Sequence, residues 1–116
     1  MQRVNIQAIE QQATVTLAAW SVFEVQLPHE AAPTWHLCGF RLETNRGKVS
    51  SAISAFDPYT ARCITRSGNV YELYGNPGAN ADALATRGVW LRMNQVQHDL
   101  DVTPAFLAYL QQGGQS

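Results

Sequence analysis

Between Ala13 and Leu27 the odd positions (Ala13, Val15, Leu17, Ala19, Ser21, Phe23, Val25, Leu27) are mostly apolar, and Thr14, Thr16, Glu24 and Gln26 alternate with them. Period-two alternation is the pattern of a strand with one buried face. A run this long is expected to bend or break, and Ala18-Ala19 is its weakest point for β-propensity. Trp20 and Val22 stand on the opposite face from Phe23 and Val25. Either a second layer covers that face or Trp20 is offered to a partner.

The stretch from Trp35 to Gly78 alternates strand-like segments with turn residues: Asn45-Arg46-Gly47, Asp57-Pro58, Ser67-Gly68-Asn69 and Asn76-Pro77-Gly78. Gly and Asn supply the positive φ of tight turns and Pro fixes φ, so the spacing predicts a β-meander with strands at 35–43, 48–56, 60–66 and 69–74. Gly39 inside the first of these marks a bulge or a close backbone approach. A two-residue Ser67-Gly68 turn would set Ile64 opposite Tyr71 and Cys63 opposite Glu72, which leaves neither face of that hairpin cleanly apolar. Pro28 to Pro33 reads as a linker loop, and residues 1–12 as a short edge strand or a frayed helical turn.

After Gly78 the period changes. Asn80 is a suitable N-cap, Asp82 lies where the helix dipole favours an anion, and Ala81, Leu84, Ala85, Gly88 and Leu91 recur at helical spacing, which predicts a helix over 81–94. A second reading ends that helix near Thr86 and makes 88–95 a strand, because Gly88 is unfavourable inside a helix. Thr103-Pro104 is an N-cap followed by the residue favoured at the first helical position, and predicts a short helix over 104–111. The fold expected is α+β: an antiparallel β-meander of about five strands with one or two C-terminal helices packed on one face. Phe40, Ile53, Ile64, Leu73, Leu84 and Leu91 are its expected core.

A chain of 116 residues, 46% hydrophobic and 15% charged, is enough for one core and too short for two ordinary domains. Residues 1–112 are therefore read as one domain and 113–116 as a disordered tail. No window approaches the roughly 18 apolar residues of a membrane span and the N-terminus lacks the apolar run of a secretory signal, so no membrane association and a cytoplasmic location are expected. A net charge of −1 supplies no global field for nucleic acid or membranes. Any charged site must be local.

Candidate chemistry is sparse. Cys38 and Cys63 lack CxxC spacing and are expected as reduced, half-buried strand residues. His29, His36 and His98 have no metal-binding spacing, and no serine lies in a GxSxG elbow. His98 lies beside Asp99 and Asp101, as a general base or metal site requires, but in a polar connection where such neighbours are common. Asn76 to Asn80 leads into a helix N-terminus without the lysine and glycine spacing of a phosphate-binding loop, and reads as a structural turn. No catalytic residue, cofactor or metal ligand is assigned.

The basic residues are more informative, because Arg41, Arg46, Lys48, Arg62 and Arg66, five of the eight, fall within the meander. Alternate turns of a meander share one end of the sheet, so Arg46, Lys48 and Arg66 are expected to form a basic rim. Such a rim either protects an edge by charge or docks an acidic protein or a phosphate backbone. Together with Trp20 these are the candidate partner-binding residues.

The run Thr65, Ser67, Gly68, Tyr71, Leu73, Gly75, Pro77 and Gly78, with the preceding GFRLETNRGKVSSAI, resembles segments of small uncharacterised proteins of proteobacterial phages, plasmids and integron cassettes. That resemblance implies action by binding, for example as inhibitors of host or defence machinery such as anti-CRISPRs, and it implies no particular binding residues. The first functional expectation is a non-enzymatic module that binds a protein partner or itself. The second is a nucleic-acid-binding accessory protein using the rim. The third is a small enzyme or small-molecule binder with a sheet-helix pocket near Trp35, Trp90 and His98.

Overall fold

The structure is a computed structural model that describes residues 4–115, with side chains through residue 109. The first three residues of the predicted N-terminal segment, and Ser116 of the predicted tail, lie outside the described residues. The elements in order are β1 (Asn5–Ile6), β2 (Val15–Val25), β3 (Thr34–Arg41), β4 (Arg46–Asp57), β5 (Arg62–Thr65), β6 (Val70–Leu73), α1 (Ala81–Met93), β7 (Asp99–Asp101) and α2 (Thr103–Gln115). The α+β class and the meander β2 to β6 are as expected. Helix α1 occupies 88–93, so the helical reading of that stretch holds, and α2 runs on through Gly113 and Gly114.

The sheet is mixed rather than purely antiparallel. Each of β2 to β6 pairs antiparallel with the next, and β6 then pairs with β2, closing a ring of five strands. In a five-strand meander the first and last strands run the same way, so closure makes the β2–β6 seam parallel, with Val15 beside Tyr71 and Leu17 beside Leu73. Closure removes the edges that an open sheet would expose. The short β1 also runs parallel, to β4, through Asn5–Ala55 and Ile6–Phe56.

Strand β2 carries the main irregularity. Its register against β3 jumps between Ala18 and Ser21, where Ala19 and Trp20 both oppose Gly39 and Ala19 takes a φ of 47°. That extra residue turns Trp20 and Val22 onto the face that Val15 and Leu17 occupy, and all four join one core cluster with Leu37, Ile53, Phe56, Cys63, Tyr71 and Phe106. Gly39 suits this close approach: a Cβ would lie 3.1 Å from the Ala18 carbonyl and 3.1 Å from the Leu17 side chain, tighter than ordinary contact. Beyond the bulge the other face is buried too, with Phe23 and Val25 in a second cluster beside Cys38, Ala83 and Trp90.

The helices therefore lie on opposite faces rather than sharing one. Helix α2 covers the Trp20 face. Thr103 fastens it by standing in for a strand: its hydroxyl oxygen accepts the Val22 N–H at 3.0 Å, and Val102 N–H reaches the Val22 carbonyl at 2.9 Å. Asp101 Oδ1 accepts the Thr103 N–H at 2.9 Å and its hydroxyl at 2.6 Å, capping the helix. Helix α1 covers the Phe23 face, with Asn80 Oδ1 accepting the Ala83 N–H at 3.0 Å as its N-cap. Its backbone sits directly on β4 at Gly47, where a Cβ would fall 2.3 Å from the Asp82 carbonyl oxygen. Such closeness favours the small Ala83 at the contact and leaves Trp90 to fill the widening gap.

This seating corrects part of the expected core. Ile53 and Leu73 are buried, Phe40, Ile64 and Leu91 are half-buried, and Leu84 is 50% exposed because it stands on the outer side of α1. The β5–β6 register also differs by one residue. The loop holds Arg66, Ser67 and Gly68 between Thr65 and Asn69, with Gly68 at a φ of 92°, so Cys63 opposes Tyr71 and Arg62 opposes Glu72. A one-residue shift exchanges faces. Cys63 and Tyr71 point into the core, and the Arg62–Glu72 ion pair faces out.

Beneath α1, His36 is buried between Phe23, stacked at 5.6 Å, and Trp90 at 4.8 Å. Its Nδ1 donates to the Ser50 carbonyl at 2.9 Å, which leaves Nε2 to accept from the Thr34 hydroxyl at 2.8 Å. Both nitrogens are satisfied by the neutral ring, and burial, with the Arg66 charge as a smaller contributor, lowers its pKa. The unfolded chain takes up a proton near the ordinary value of about 6.5, and the folded chain only at lower pH. Stability from this site is complete above that value and is lost as pH falls below it. Between about pH 7.5 and 5.5 the urea midpoint should fall, and in His36→Gln this dependence should vanish while His29→Gln keeps it. An unchanged slope in His36→Gln would refute the assignment. Independently, Ile53→Ala should cost about 2–5 kcal/mol in chemical denaturation, and an unaltered midpoint would refute its place in the core.

Candidate functional site

The expected basic rim is divided. Strand β4 pairs with β3 through its first half and with β5 through its second, and Arg66 N–H bonds the Ala52 carbonyl, not a residue near Arg46. Arg46 and Ala52 are separated by six residues of strand, roughly 20 Å at about 3.3 Å each. Arg66 turns toward the β2–β3 loop, where it pairs with Glu30 at 2.9 Å. The length of β4 defeats the expectation that alternate turns emerge together.

What remains is a basic face on the β3–β4 hairpin. Arg41 and Arg46 are directly opposite each other, and Lys48 stands two residues on from Arg46 on the same face. Arg41 contacts the Thr14 carbonyl at 3.4 Å, and its Nε lies 3.6 Å from Glu43 Oε1. Glu43 also accepts the Thr16 N–H at 2.9 Å, and that bond chiefly holds its carboxyl below the ordinary range. Among the described residues, Arg62, Arg66 and Arg87 pair with Glu72, Glu30 and Asp99, whereas Arg46 and Lys48 have no carboxylate within ion-pair distance.

Trp20 is not offered to a partner. It is 1% exposed, its Nε1–H donates to the Gly75 carbonyl at 3.0 Å, and its ring meets Phe106 edge-on at 6.0 Å. The bulge that turns it inward is the physical reason.

The apolar surface lies instead on α1. Ala85, Val89 and Met93 form an exposed stripe at four-residue spacing, Val89 and Met93 being 46% and 78% exposed, while Leu84, 50% exposed, lies apart from it around the helix. Only Asp82 at one end and Arg92 near the other bring charge to the exposed side of this helix. Sequence periodicity grouped Ala81, Leu84, Ala85, Gly88 and Leu91 and expected Leu84 and Leu91 inside; Leu91 is half-buried, Leu84 and Ala85 are exposed, and Val89 and Met93 were not singled out as a helical stripe. The signal that it faces out was Gly47, which selects Ala83 as the contact.

Other chemistry-bearing residues are committed to structure. Trp35 and Trp90 belong to clusters on opposite faces of β3 and His98 is exposed, so these three do not line one pocket. Asp99 pairs with Arg87 and Asp101 caps α2, which separates them from His98. A half-open pocket of about 320 Å³ is lined by Ile6, Gln7, Ala8, Asp57, Pro58 and Tyr59. Burial would raise the Asp57 pKa, but N–H bonds from Ile9 at 2.9 Å and Tyr59 at 3.0 Å outweigh it and hold the carboxyl low, as in a turn acceptor. Cys38 and Cys63 are buried free thiols whose pKa values burial pushes up, and the Cys38 thiol donates to the Ala83 carbonyl at 3.3 Å. Among the described residues no group of three or more His, Cys, Asp or Glu could hold a metal ion, and no helix is long and apolar enough to cross a membrane.

No protein-family model, curated protein or solved structure matches the chain.

Proposed function

We propose that this chain is a non-enzymatic protein-binding module that docks through the outer face of α1. The observation that carries the reading is the stripe Ala85, Val89 and Met93, left exposed on a helix whose other side is already buried. An apolar helix face seats in an apolar groove, with anchors at i, i+4 and i+8. Asp82 and Arg92 near the two ends of the helix would fix its direction in that groove. The partner is a larger protein presenting such a groove, in keeping with the class of activity implied by the resemblance of the 65–78 run to proteins of mobile elements, inhibition of host or defence machinery included. Self-association through the same face is the competing occupancy. A second reading, contact with nucleic acid, is favoured by Arg46 and Lys48 on the β3–β4 hairpin, which have no carboxylate partner among the described residues.

The double variant Val89→Glu with Met93→Glu removes only exposed apolar surface, so stability should change by about 0.5 kcal/mol or less per site. Circular dichroism should show an intact fold, while the amount of a specific protein captured from host extract should drop at least about tenfold. Sedimentation of the purified chain separates a foreign partner from a second copy. Capture that is undiminished by the folded double variant would contradict α1 as the docking face.

A further inference from the structure

We infer that His36 is a proton switch for helix α1: a charge on its ring favours a state in which α1 has left the sheet while the five-strand ring and α2 remain folded. The face on which the histidine stands decides which layer yields. His36 shares a face of β3 with Cys38 and lies against Phe23 and Trp90, outside the core that the ring encloses. Trp90 of α1 is itself half-buried, so the route from the imidazole to water leads past α1 and not through the ring. Charged, the imidazole would sit among two aromatic rings, the Ser50 carbonyl and the Thr34 hydroxyl, with no carboxylate within ion-pair distance among the described residues. The aromatic faces offset part of its lost hydration, and water would restore all of it.

Helix α1 is also the element that moves at least cost. Ala83 is its one buried residue, and Trp90 and Leu91 are half-buried, whereas every strand of the ring is paired on both sides. Once off the sheet, a helix of 13 residues is marginal in water, so release also opens its hydrogen bonds to exchange. The charged and titratable groups around His36 are few. Arg66 and Glu30, from two loops, are joined at 2.9 Å, and their charges act on the imidazole in opposite directions. Exposed His29 lies beside Glu30 at 3.9 Å. Arg87 of α1 lies over the Phe23 ring at 4.6 Å and pairs with Asp99 of β7, and the Cys38 thiol is bonded to the Ala83 carbonyl. Glu24 of β2 bonds Trp35 and Lys48 of β4 stands opposite Gly39, both on the other face. Release bares Phe23, Val25 and Cys38. Where α1 docks a partner, a consequence that rests on the function proposed above, the same proton withdraws the docking face.

The test is native-state hydrogen exchange of the whole chain at about pH 7.5 and 5.5, read by NMR as protection relative to intrinsic rates, with and without low urea. With α1 released, His36 takes up a proton near the ordinary value of about 6.5, and with α1 docked only at lower pH. Its contribution to docking is therefore complete above that value and is lost as pH falls below it, by a ceiling of about tenfold at about pH 5.5 for one proton. Protection at residues 85–92 should be lower than in β2 to β6, nearly independent of urea, and about three- to tenfold smaller at the acid pH. In His36→Gln that change should disappear, and in His29→Gln it should remain. Should His36→Gln not fold, the imidazole nitrogen signals of the natural chain decide, because a His36 midpoint at or above about 6.5 would overturn the inference. So would one protection value and urea slope shared by α1 and the ring, or α1 protection unchanged with pH while that of the ring falls. Equal acid sensitivity of α1 in folded His36→Gln would contradict it as well.

Discussion

One extra residue in β2 sets the terms for the rest of the structure. With Ala19 at a φ of 47°, Trp20 and Val22 fall on the face of Val15 and Leu17, and Phe23 and Val25 are left to the other. A strand without the bulge would send Trp20 to the face that α1 covers, and the core within the ring would lose one of its two tryptophans. Gly39 belongs to the same device, since the bulged backbone comes within 3.1 to 3.3 Å of where its Cβ would be.

Two consequences follow from burying both faces. The ring of five strands must close with its first and last strands parallel, and each face then needs its own helix. Helix α2 enters by replacing strand pairing with Thr103 and Val102 against Val22. Helix α1 enters by backbone contact at Gly47, secured by Arg87, which lies over the Phe23 ring at 4.6 Å and pairs with Asp99 of β7. A helix seated that closely buries small residues and turns part of its apolar surface outward. The exposed apolar stripe of α1 is thus a by-product of how the core is closed.

Local signals were well written in the sequence. Alternation located β2, turn residues located β3 to β6, Thr103 and Asn80 marked both helix starts, and Gly39 marked the bulge. Three things depended on geometry that no short window holds. The β5–β6 register turned on whether its loop had two residues or three, and that single residue decided whether Cys63 faced Tyr71. Ring closure depended on β4 being long enough to serve β3 and β5 in succession, which also drew Arg66 away from Arg46. The outward face of α1 depended on the distance of closest approach at Gly47. Of the candidate site, Arg46 and Lys48 were legible as local charge, whereas Arg41 joins them only through the hairpin register.

The bulge can be tested at the residue that makes it. The left-handed conformation costs a residue with a Cβ about 1–2 kcal/mol, costs a β-branched residue more, and costs glycine nothing in steric terms. In urea denaturation, Ala19→Gly should therefore retain or slightly raise stability, within about 1 kcal/mol, while Ala19→Val should lower it by about 1–2 kcal/mol or more. Equal stability of the glycine and valine variants would contradict a left-handed Ala19, and with it the bulge on which both faces of the core depend.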